Sequence, residues 1–587
     1  MISNIFPPAA IFLVGALILL FTNDRLKKIL ILAIPAATFF YLMNLSPGAT
    51  LTLPFLEYEL TFLHVDKLSK VFGYIFCIAA FGSFLFALHV EKKLEHCSAL
   101  VYVGSALGVV FAGDFFTLYI FWEFMAVSSV MLIWARREKQ SLDAGFRYIL
   151  VHIVGGLILL AGILLHVHNT GSLAVGRIGT RDLASWLILI GFMLNAAVPP
   201  LSAWLSDAYP ESTATGGVFL SAFTTKTAVY TLIRVFPGWE ILIWLGALMT
   251  IYGIIFAIME NDSRRILAYS IINQVGFMVC GVGIGTTMAL NGAAAHAFAH
   301  IIYKGLLWMS AGSVFYMTGK TKCTDLGGLY KTMPLTLICC CIAAASISAF
   351  PLTSGFTTKT MILQAASNQH LIIIYILLEA ASAGVFLHAG IKFPYFVFFA
   401  KDKGLRVSDP KKNMQWAMIF FAFLCIFIGV YPKPLYNILP YAVDYHAYTG
   451  MHIVRMLQLL FFSGLAFFVF LSFLKRTETI TLDTDWFYRK GTNLVLSVVT
   501  GIAMGIARLC DFLFIQRLPH NLAILSKAPI SALVRIYSKI EKGTLPAGSS
   551  SAGAKPELIN LIPAGVPVMI SIIFLYFLAF VFIMSFY

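Results

Sequence analysis

Charged side chains are scarce in this sequence. Asp, Glu, Lys and Arg together make up 12% of its 587 residues, against about 25% in soluble globular domains. Hydrophobic residues make up 59%, and the mean hydropathy is +0.87. Such a chain cannot cover itself with an ordinary water-exposed surface. The composition therefore predicts an all-α polytopic membrane protein, in which each crossing needs about 20 apolar residues.

Motifs for redox cofactors and nucleotides are missing from the sequence. The nine cysteines form no CxxC pair and no ferredoxin spacing, so neither a disulfide framework nor an iron–sulfur cluster is expected. There is no phosphate-binding loop and no dinucleotide fingerprint. We therefore expect no cofactor, no bound metal and no catalytic site within this chain, and leave open whether it serves a redox-driven complex.

Positive charge outweighs negative charge, with a net charge of +14. The basic residues gather in alternate loops between apolar runs, which is the pattern of the positive-inside rule and not that of a nucleic-acid-binding surface. If the N-terminus is outside, the inside loops are 25–28, 92–93, 136–139, 264–265, 320–331, 401–412 and 475–476. We therefore expect a multi-pass protein of a bacterial or archaeal cell membrane, surrounded by lipid and without a nucleic-acid partner.

Apolar runs of membrane-spanning length occur about sixteen times. Between the second and third runs, residues 51–65 alternate between apolar and polar, which predicts an outside β-hairpin. Residues 492–542 are apolar but interrupted by charges and prolines, which predicts a C-terminal lateral amphipathic helix. A flexible linker and a last crossing at 562–586 follow.

Three ionisable residues fall within one apolar run, residues 294–313. His296, His300 and Lys304 are spaced four apart, so they share one face of a helix. A charged residue at the bilayer centre costs at least roughly 2.5–3.5 kcal/mol on insertion scales. The run therefore predicts a polar track through the protein interior. The alternative is a helix packed on polar neighbours, with Lys304 reaching an interface along its side chain.

Further ionisable residues lie deep within other apolar runs. Together with two members of the first run they form a string across successive spans: Glu123, Lys226, His300, Lys304 and Lys359. Such a string predicts a hydrophilic axis that transfers protons, and a structural role is the alternative for each residue. Possible further members are His152, Asn195, His296 and Glu379. His388 also lies in a span, but a lone histidine there is more often a satisfied core residue.

Two of the apolar runs carry prolines in their middle, in the segments P-L-S-A-W and P-L-T-S-G-F. The prolines at these positions, Pro200 or Pro199 and Pro351, lie 151 or 152 residues apart, and adding 152 to His152 gives Lys304. Prolines remove amide donors and interrupt helices. The pattern predicts two inverted five-helix repeats with broken helices, an arrangement typical of transporters whose ion path lies near the breaks. A chance alignment is the alternative.

Over residues 60–430 the sequence resembles the antiporter-like membrane subunit family. The family includes the A and D subunits of Mrp-type multisubunit Na+/H+ antiporters and the proton-pumping subunits of respiratory complex I and of membrane-bound hydrogenases. The resemblance is carried by V-D-K-L-S, F-W-E-F-M, P-P-L-S-A-W-L-S-D-A-Y, S-R-R-I-L-A-Y-S-I-I-N-Q-V-G-F, H-A-F-A-H-I-I-Y-K-G-L-L-W, D-L-G-G-L and P-L-T-S-G-F-T-T-K. It implies fourteen core helices and two half-channels joined by a central lysine.

The resemblance also implies roles for individual residues. By motif match, Glu123 is the family's acidic partner, Lys226 a relay lysine, Lys304 the central lysine and Lys359 the exit-side lysine. One position departs from the pattern: the family usually places a lysine four residues before the first broken-helix proline, and this chain has Asn195. An amide carries no charge, so either Lys226 answers Glu123 instead, or the first half-channel is altered or idle.

The expected domain organisation follows these boundaries. It comprises 1–95, the N-terminal helices with the hairpin; 96–236 and 237–400, the two repeats; 401–480, peripheral helices; 481–561, the lateral helix and linker; and 562–587, the last helix. The extra C-terminal helices resemble the distal subunit of complex I.

The resemblance implies a proton-translocating subunit of a multisubunit cation/proton antiporter. Its partners would be H+, with Na+ as an alternative, and further membrane subunits. The alternative function is that of a proton-pumping subunit in a redox complex of the complex I or hydrogenase type. A third, weaker alternative is a coupling subunit for inorganic-carbon uptake.

Overall fold

A computed structural model describes residues 5–472 and 483–518 of the chain. The chain divides into two compact units, one ending at Asp485 and one beginning at Trp486. The first unit contains nineteen of the helices described below and one two-stranded sheet. Its strands are β1 (Thr50–Phe55) and β2 (Tyr58–His64).

The helices of the first unit follow one another with short connections. Up to the first break they are α1 (Pro8–Leu20), α2 (Asp24–Asn44), α3 (Lys67–Ala87), α4 (Lys93–Phe111), α5 (Phe115–Trp134), α6 (Lys139–Thr170) and α7 (Leu183–Asn195). From there to the second break they are α8 (Ala203–Ala208), α9 (Gly216–Ala222), α10 (Thr224–Val235), α11 (Ile241–Met259), α12 (Ser263–Ile284), α13 (Thr287–Thr318) and α14 (Pro334–Ile347). The remaining helices are α15 (Ser354–Asn368), α16 (Ile372–Val385), α17 (Lys412–Val430), α18 (Lys433–Ile438) and α19 (Gly450–Val469).

Ten helical segments within the described residues are long and apolar enough to cross a membrane. Three shorter apolar helices, α1, α7 and α14, accompany them. The prediction of an all-α polytopic membrane fold is therefore confirmed at this level. The predicted total of about sixteen crossings stays a prediction, since the last of them, 562–586, lies outside the described residues.

Helices α12 and α13 lie at the centre of the first unit. The apolar stretch of α12 is wholly buried, whereas that of α19 is only 17% buried, so α19 lies at the periphery. Helix α13 packs against α12, α14, α15 and α17, and also against α3 and α9. It is capped before its first residue by Thr286, whose hydroxyl accepts a hydrogen bond from the amide of Ala289, and after its last residue by Gly319 in the left-handed conformation. Its polar side chains are consequently held away from lipid.

Both of the predicted helix breaks are present. Helix α7 ends at Asn195 and α8 begins at Ala203, while α14 ends at Ile347 and α15 begins at Ser354. Non-glycine residues adopt positive φ angles in both breaks, at Ala197, Ala349 and Leu352. The prolines explain the unwinding, because each removes one amide donor and disfavours helical geometry in the residue before it.

The predicted hairpin is also confirmed. Strands β1 and β2 pair antiparallel, from Thr50 opposite His64 to Phe55 opposite Tyr58. The hairpin is tied to the connection between α4 and α5, where the amide of Thr61 donates to Asp114 at 2.7 Å and the amide of Gly113 donates to the carbonyl of Thr61 at 2.9 Å. This end of the helices is called the hairpin face below.

Helix α16 continues without interruption into two π-helical turns, Phe386–Lys392 and Tyr395–Phe399. Isolated π-helical turns are rare and are frequently found at functional sites, because the extra residue in the turn changes which side chains point inward. This irregularity lies in the predicted span 371–400 and was not foreseen from the sequence.

The second unit is described to residue 518. Helix α20 (Asp485–Cys510) begins seven residues before the predicted lateral helix and leads into a π-helical turn, Asp511–Arg517. The rest of the predicted lateral helix, the linker and the last crossing lie outside the described residues.

Candidate functional site: a buried track of ionisable side chains

Helix α13 carries the centre of the track. His296, His300 and Lys304 are each completely buried. The Lys304 ammonium donates one long hydrogen bond, 3.3 Å, to the carbonyl of Leu267 on α12, and it forms no ion pair among the described residues. The expectation that these three residues point into protein and not into lipid is therefore met in this structure. Snorkelling of Lys304 to an interface does not occur.

Lys226 lies next to this centre, on α10 just after the junction with α9. It is completely buried and donates to the carbonyl of Ser221 at 2.5 Å and to the hydroxyl of Thr225 at 3.1 Å. Its charge acts on both His300 and Lys304. Lys226 is thus coupled electrostatically to α13, and its hydrogen bonds go to the end of α9 and the start of α10.

Glu123 lies on α5 at the other end of the string, against α6. Its carboxylate oxygen Oε1 is buried and has no hydrogen-bond partner in the part of the chain that the structure describes. The carboxylate occupies the space over Gly156, where an added Cβ atom would lie 1.9 Å from Oε1. Glu123 and Lys226 form no ion pair here, so Lys226 does not take the place of the lysine that the family pattern would supply.

Asn195 occupies the position at which the family pattern places a lysine, and it faces His152. Both are buried, at 1% and 2% exposed, and their side chains interact. The His152 ring lies between Tyr148 and Trp204, with ring centroids 4.2 and 4.7 Å away. His152 Nε2 and Asn195 Nδ2 have no partner among the described residues. This half of the track therefore contains a neutral amide and an imidazole in place of a buried ammonium group.

The far end of the track runs through α15 and α16. Lys359 is completely buried, donates to the carbonyl of Ile347 at 3.4 Å and lies over the ring of Phe277. Its charge interacts with that of Glu379. Glu379 accepts a hydrogen bond from Tyr375 at 2.6 Å and pairs with Arg455 at 3.1 Å. The second break thus connects Lys359 to an ion pair towards the hairpin face.

A polar cavity of about 400 Å³ begins at this ion pair. Glu379 and Arg455 line it together with Tyr445 and His452. The Tyr445 hydroxyl shares a 2.7 Å hydrogen bond with Thr360 on α15, and burial raises the pKa of this loop tyrosine to about 12. The Tyr445 side chain therefore remains a neutral hydroxyl at physiological pH.

Buried polar atoms without a partner follow the track. They are Glu123 Oε1, His152 Nε2, Asn195 Nδ2, Ser270 Oγ, His296 Nδ1, both ring nitrogens of His300, Ser382 Oγ and His388 Nε2. Such atoms are rare in folded proteins because leaving one unpaired costs about 1–3 kcal/mol. Several side chains of the track therefore have polar atoms without a hydrogen-bond partner among the described residues, as a path that binds and releases protons or water requires.

Sequence reasoning identified the track but missed several of its parts. Arg455 stands near the start of a peripheral helix and gave no signal of its own. Ser270 and Ser382 are ordinary small residues in apolar runs, and a lone histidine such as His388 is more often a satisfied core residue. Only the packing shows that the hydroxyls of both serines and Nε2 of His388 are buried without a hydrogen-bond partner among the described residues. No group of three or more His, Cys, Asp or Glu residues suited to a metal ion occurs in 5–472 or 483–518.

Comparison with known proteins identifies the relatives of this arrangement. Residues 112–387 match the family model described as NADH:quinone oxidoreductase/Mrp antiporter, TM. The N subunit of the NADH-quinone oxidoreductase of Desulforudis audaxviator is 33% identical over 46% of this chain and 58% of that protein. The D subunit of the Na+/H+ antiporter of Alkalihalophilus pseudofirmus is 28% identical over 56% of this chain and 71% of that protein.

A solved structure shows the same fold. A chain of the Mrp complex from Dietzia sp. DQ12-45-1b superimposes with a TM-score of 0.74 and 23% identity, over 94% of this chain and 64% of that one. The match to the oxidoreductase protein of Desulforudis audaxviator spans little more than half of that relative's length. The resemblance inferred from the motifs is confirmed, because residues 112–387 match the model of the family described as NADH:quinone oxidoreductase/Mrp antiporter, TM.

Proposed function

We propose that this chain is a proton-translocating membrane subunit of a multisubunit cation/proton antiporter complex. The observation that carries the proposal is the line of buried ionisable side chains inside a helical membrane fold. Electrostatic interactions link Lys226 to His300 and His300 to Lys304. They also link His296 to Lys359 and Lys359 to Glu379. Amines and imidazoles can each hold one proton, so neighbouring groups can pass it along.

The two halves of the track differ, and this difference shapes the proposal. The second half runs from Lys304 to the Glu379–Arg455 pair and the polar cavity, with both helix ends at the second break close by. In the first half, Glu123 forms no ion pair with any described residue, and its Oε1 atom has no hydrogen-bond partner among them. We infer that protons leave through the second half and that the first half, which still contains Glu123, is altered from the family pattern.

The finer architecture belongs to this proposal as well. Two inverted repeats, 96–236 and 237–400, each contain one broken helix and one half of the track. A total of about sixteen crossings, the N-terminus outside and a cell-membrane location agree with the charge asymmetry of the loops. Other membrane subunits are the expected partners, because the relatives are named as subunits of such complexes.

Lys304→Ala is the test of this function. The variant removes the central proton carrier while the surrounding helices still bury α13, so we expect normal assembly and at least tenfold lower proton flux in vesicles. Lys320→Ala, in an exposed loop, is the matched control and should transport normally. Wild-type flux by a fully assembled Lys304→Ala complex would exclude the track as the proton path.

A proton-pumping subunit of a redox complex is the second candidate, favoured by the similarity to an oxidoreductase subunit. The purified native complex distinguishes the two. Flavin and iron–sulfur absorbance at stoichiometric amounts would favour the redox complex, whereas their lack together with Na+-dependent proton flux would favour the antiporter.

A further inference from the structure

His388 lies in the first π-helical turn after α16, and its ring is completely buried. Its Nδ1 atom is 2.8 Å from the carbonyl oxygen of Gly384. A carbonyl oxygen can only accept a hydrogen bond, so Nδ1 must carry the hydrogen. In the neutral ring the other nitrogen, Nε2, therefore presents a lone pair. The hydrogen bond to Gly384 fixes this tautomer, and with it the atom that can accept a proton.

The Nε2 atom of His388 has no hydrogen-bond partner among the described residues. A satisfied core histidine would pair both nitrogens, because an unpaired polar atom in a dry interior is unfavourable. The hydroxyls of Ser382, one turn and a half earlier, and of Ser270, on α12, are also buried and unpaired. Helix α12 packs against both α16 and the π-helical turn. The unpaired Nε2 therefore lies on a segment whose own helix, α16, and whose neighbour, α12, each carry one further unpaired hydroxyl.

Three lysine charges act on the His388 ring, those of Lys304, Lys392 and Lys359. The Lys392 ammonium has no hydrogen left to donate to His388. It already donates to the carbonyls of Ala257, Ile258 and Glu260 at the end of α11, at 3.1, 2.5 and 2.6 Å. An ammonium has three hydrogens, and all three are used in these bonds. Lys392 therefore holds the π-helical turn in place. The groups left to exchange a proton with His388 are Lys304 and Lys359.

The π-helical turn also contacts the second helix break. A Cβ atom added to Gly390 would lie 2.6 Å from the hydroxyl oxygen of Ser348, at the end of α14. The close approach places the segment that carries His388 at the position where the backbone unwinds before Lys359. The turn therefore adjoins the break that precedes Lys359, and the charge of Lys304 acts on the ring that this turn carries.

We propose that His388 is a proton-relay residue between Lys304 and Lys359, which rests on the proposed function of the chain. The Nζ–H bond of protonated Lys304 breaks and an Nε2–H bond forms, giving an imidazolium that keeps its Nδ1–H bond to Gly384. The Nε2–H bond then breaks and the proton passes to neutral Lys359. The hydroxyls of Ser270 and Ser382 can pass the proton between His388 and the two lysines, since a hydroxyl both donates and accepts hydrogen bonds. No electron is transferred at any stage.

His388→Asn is the most informative substitution. The asparagine amide nitrogen stands near the position of Nδ1, so it can still donate to Gly384, but the variant has no group at the position of Nε2. We expect at least tenfold lower proton flux per assembled complex in vesicles. We also expect a larger solvent isotope effect, because proton transfer past residue 388 becomes rate-limiting. A packing defect alone would lower assembly and leave the isotope effect unchanged.

His370→Asn is the matched control, since His370 is exposed in the connection between α15 and α16 and lies outside the track. It should keep wild-type flux. Wild-type flux and isotope effect in assembled His388→Asn would overturn the relay. If His388→Asn does not assemble, Ser382→Ala decides: a severalfold loss of flux supports the relay, and unchanged flux overturns it.

Lys304→Ala, measured in parallel, separates the two proposals. Loss of flux in Lys304→Ala with full flux in His388→Asn would remove His388 from the path and leave the proposed function standing. Full flux in Lys304→Ala would overturn both.

Discussion

Glycine 156 determines where the Glu123 carboxylate lies. Because an added methyl group would meet Oε1 at 1.9 Å, the carboxylate and not the backbone must move when residue 156 gains a side chain. A flexible side chain can rotate away at little cost to the fold. Glu123 is thus positioned by the lack of a side chain on a neighbouring helix.

Gly156→Ala should therefore reduce proton flux without reducing assembly, if Glu123 contributes to transport. We expect a loss of about tenfold, which corresponds to about 1.4 kcal/mol, measured as flux per assembled complex in vesicles. Gly155→Ala is the control, because its methyl group would meet the side chain of Leu194 instead. Both changes favour helix formation equally, so equal flux in the two variants would contradict this role of Gly156.

Asn195 ends α7, which packs on α6 through Leu194 and Gly155, and the next residue of α6 is the Gly156 that Glu123 covers. In this structure Lys226 donates its hydrogen bonds to Ser221 and Thr225. The Oε1 atom of Glu123 has no hydrogen-bond partner among the described residues. An added lysine would therefore meet a carboxylate without a cation. We expect Asn195→Lys to assemble normally and to transport at or above the wild-type rate, measured by a ΔpH dye in vesicles.

The same change in a Glu123→Gln background provides the check. A buried ammonium without a counter-charge is strongly destabilising, by about 3–5 kcal/mol, so the double variant should assemble poorly. Normal assembly of the double variant, or inhibition by Asn195→Lys alone, would show that Glu123 is not the available partner.

At the scale of elements, Asp483 links several helices of the first unit. Its carboxylate accepts hydrogen bonds from Tyr269 on α12 at 2.7 Å, from Ser206 on α8 at 3.3 Å and from Tyr252 on α11. Three hydroxyls from three helices thus converge on one side chain that is 8% exposed. Because α8 is the continuation of the first broken helix, the contact fixes that helix against α11 and α12.

Asp483→Ala should destabilise the first unit. The substitution leaves buried hydroxyls without an acceptor, and each unpaired group costs about 1–3 kcal/mol. We expect the thermal midpoint of the purified complex to fall by several degrees. Asp402→Ala, which removes an exposed ion pair with Arg406, should change it little, since exposed pairs contribute about 0–1 kcal/mol. Equal midpoints for the two variants would show that the Asp483 contacts are not stabilising.

At the scale of the whole molecule, helix directions place residues on one face of the membrane or the other. The hairpin joins α2 to α3, and the loop 400–411 precedes α17 at the opposite ends of the helices. The charge asymmetry of the loops predicts that the hairpin face is outside. Glu57 and Lys403 are both exposed and mark the two faces.

Glu57→Cys should react with a membrane-impermeant maleimide in intact cells, and Lys403→Cys should react only after the cells are permeabilised. The cysteine-containing parent chain measures the background from Cys341 and Cys510, which are exposed in the structure. The reverse labelling pattern would invert the topology and place the Glu379 cavity on the inside.

The fold class, the positions of both helix breaks and the hairpin, and most of the ionisable residues of the track could be predicted from the order of the amino acids alone. These features follow from local physics. Apolar length defines a crossing, a proline interrupts the helix in which it stands, and a charged residue in an apolar run stands out because the bilayer makes it expensive.

Which groups face each other could be known only from the packing of the helices. Lys226 bonds to Ser221 and not to Glu123, Glu379 pairs with Arg455, and His388 has one bonded and one unpaired nitrogen. Such pairings depend on the rotation and register of helices far apart in the sequence. The π-helical turn that orients His388 changes that rotation by one residue, and hydrophobic periodicity contains no signal for it.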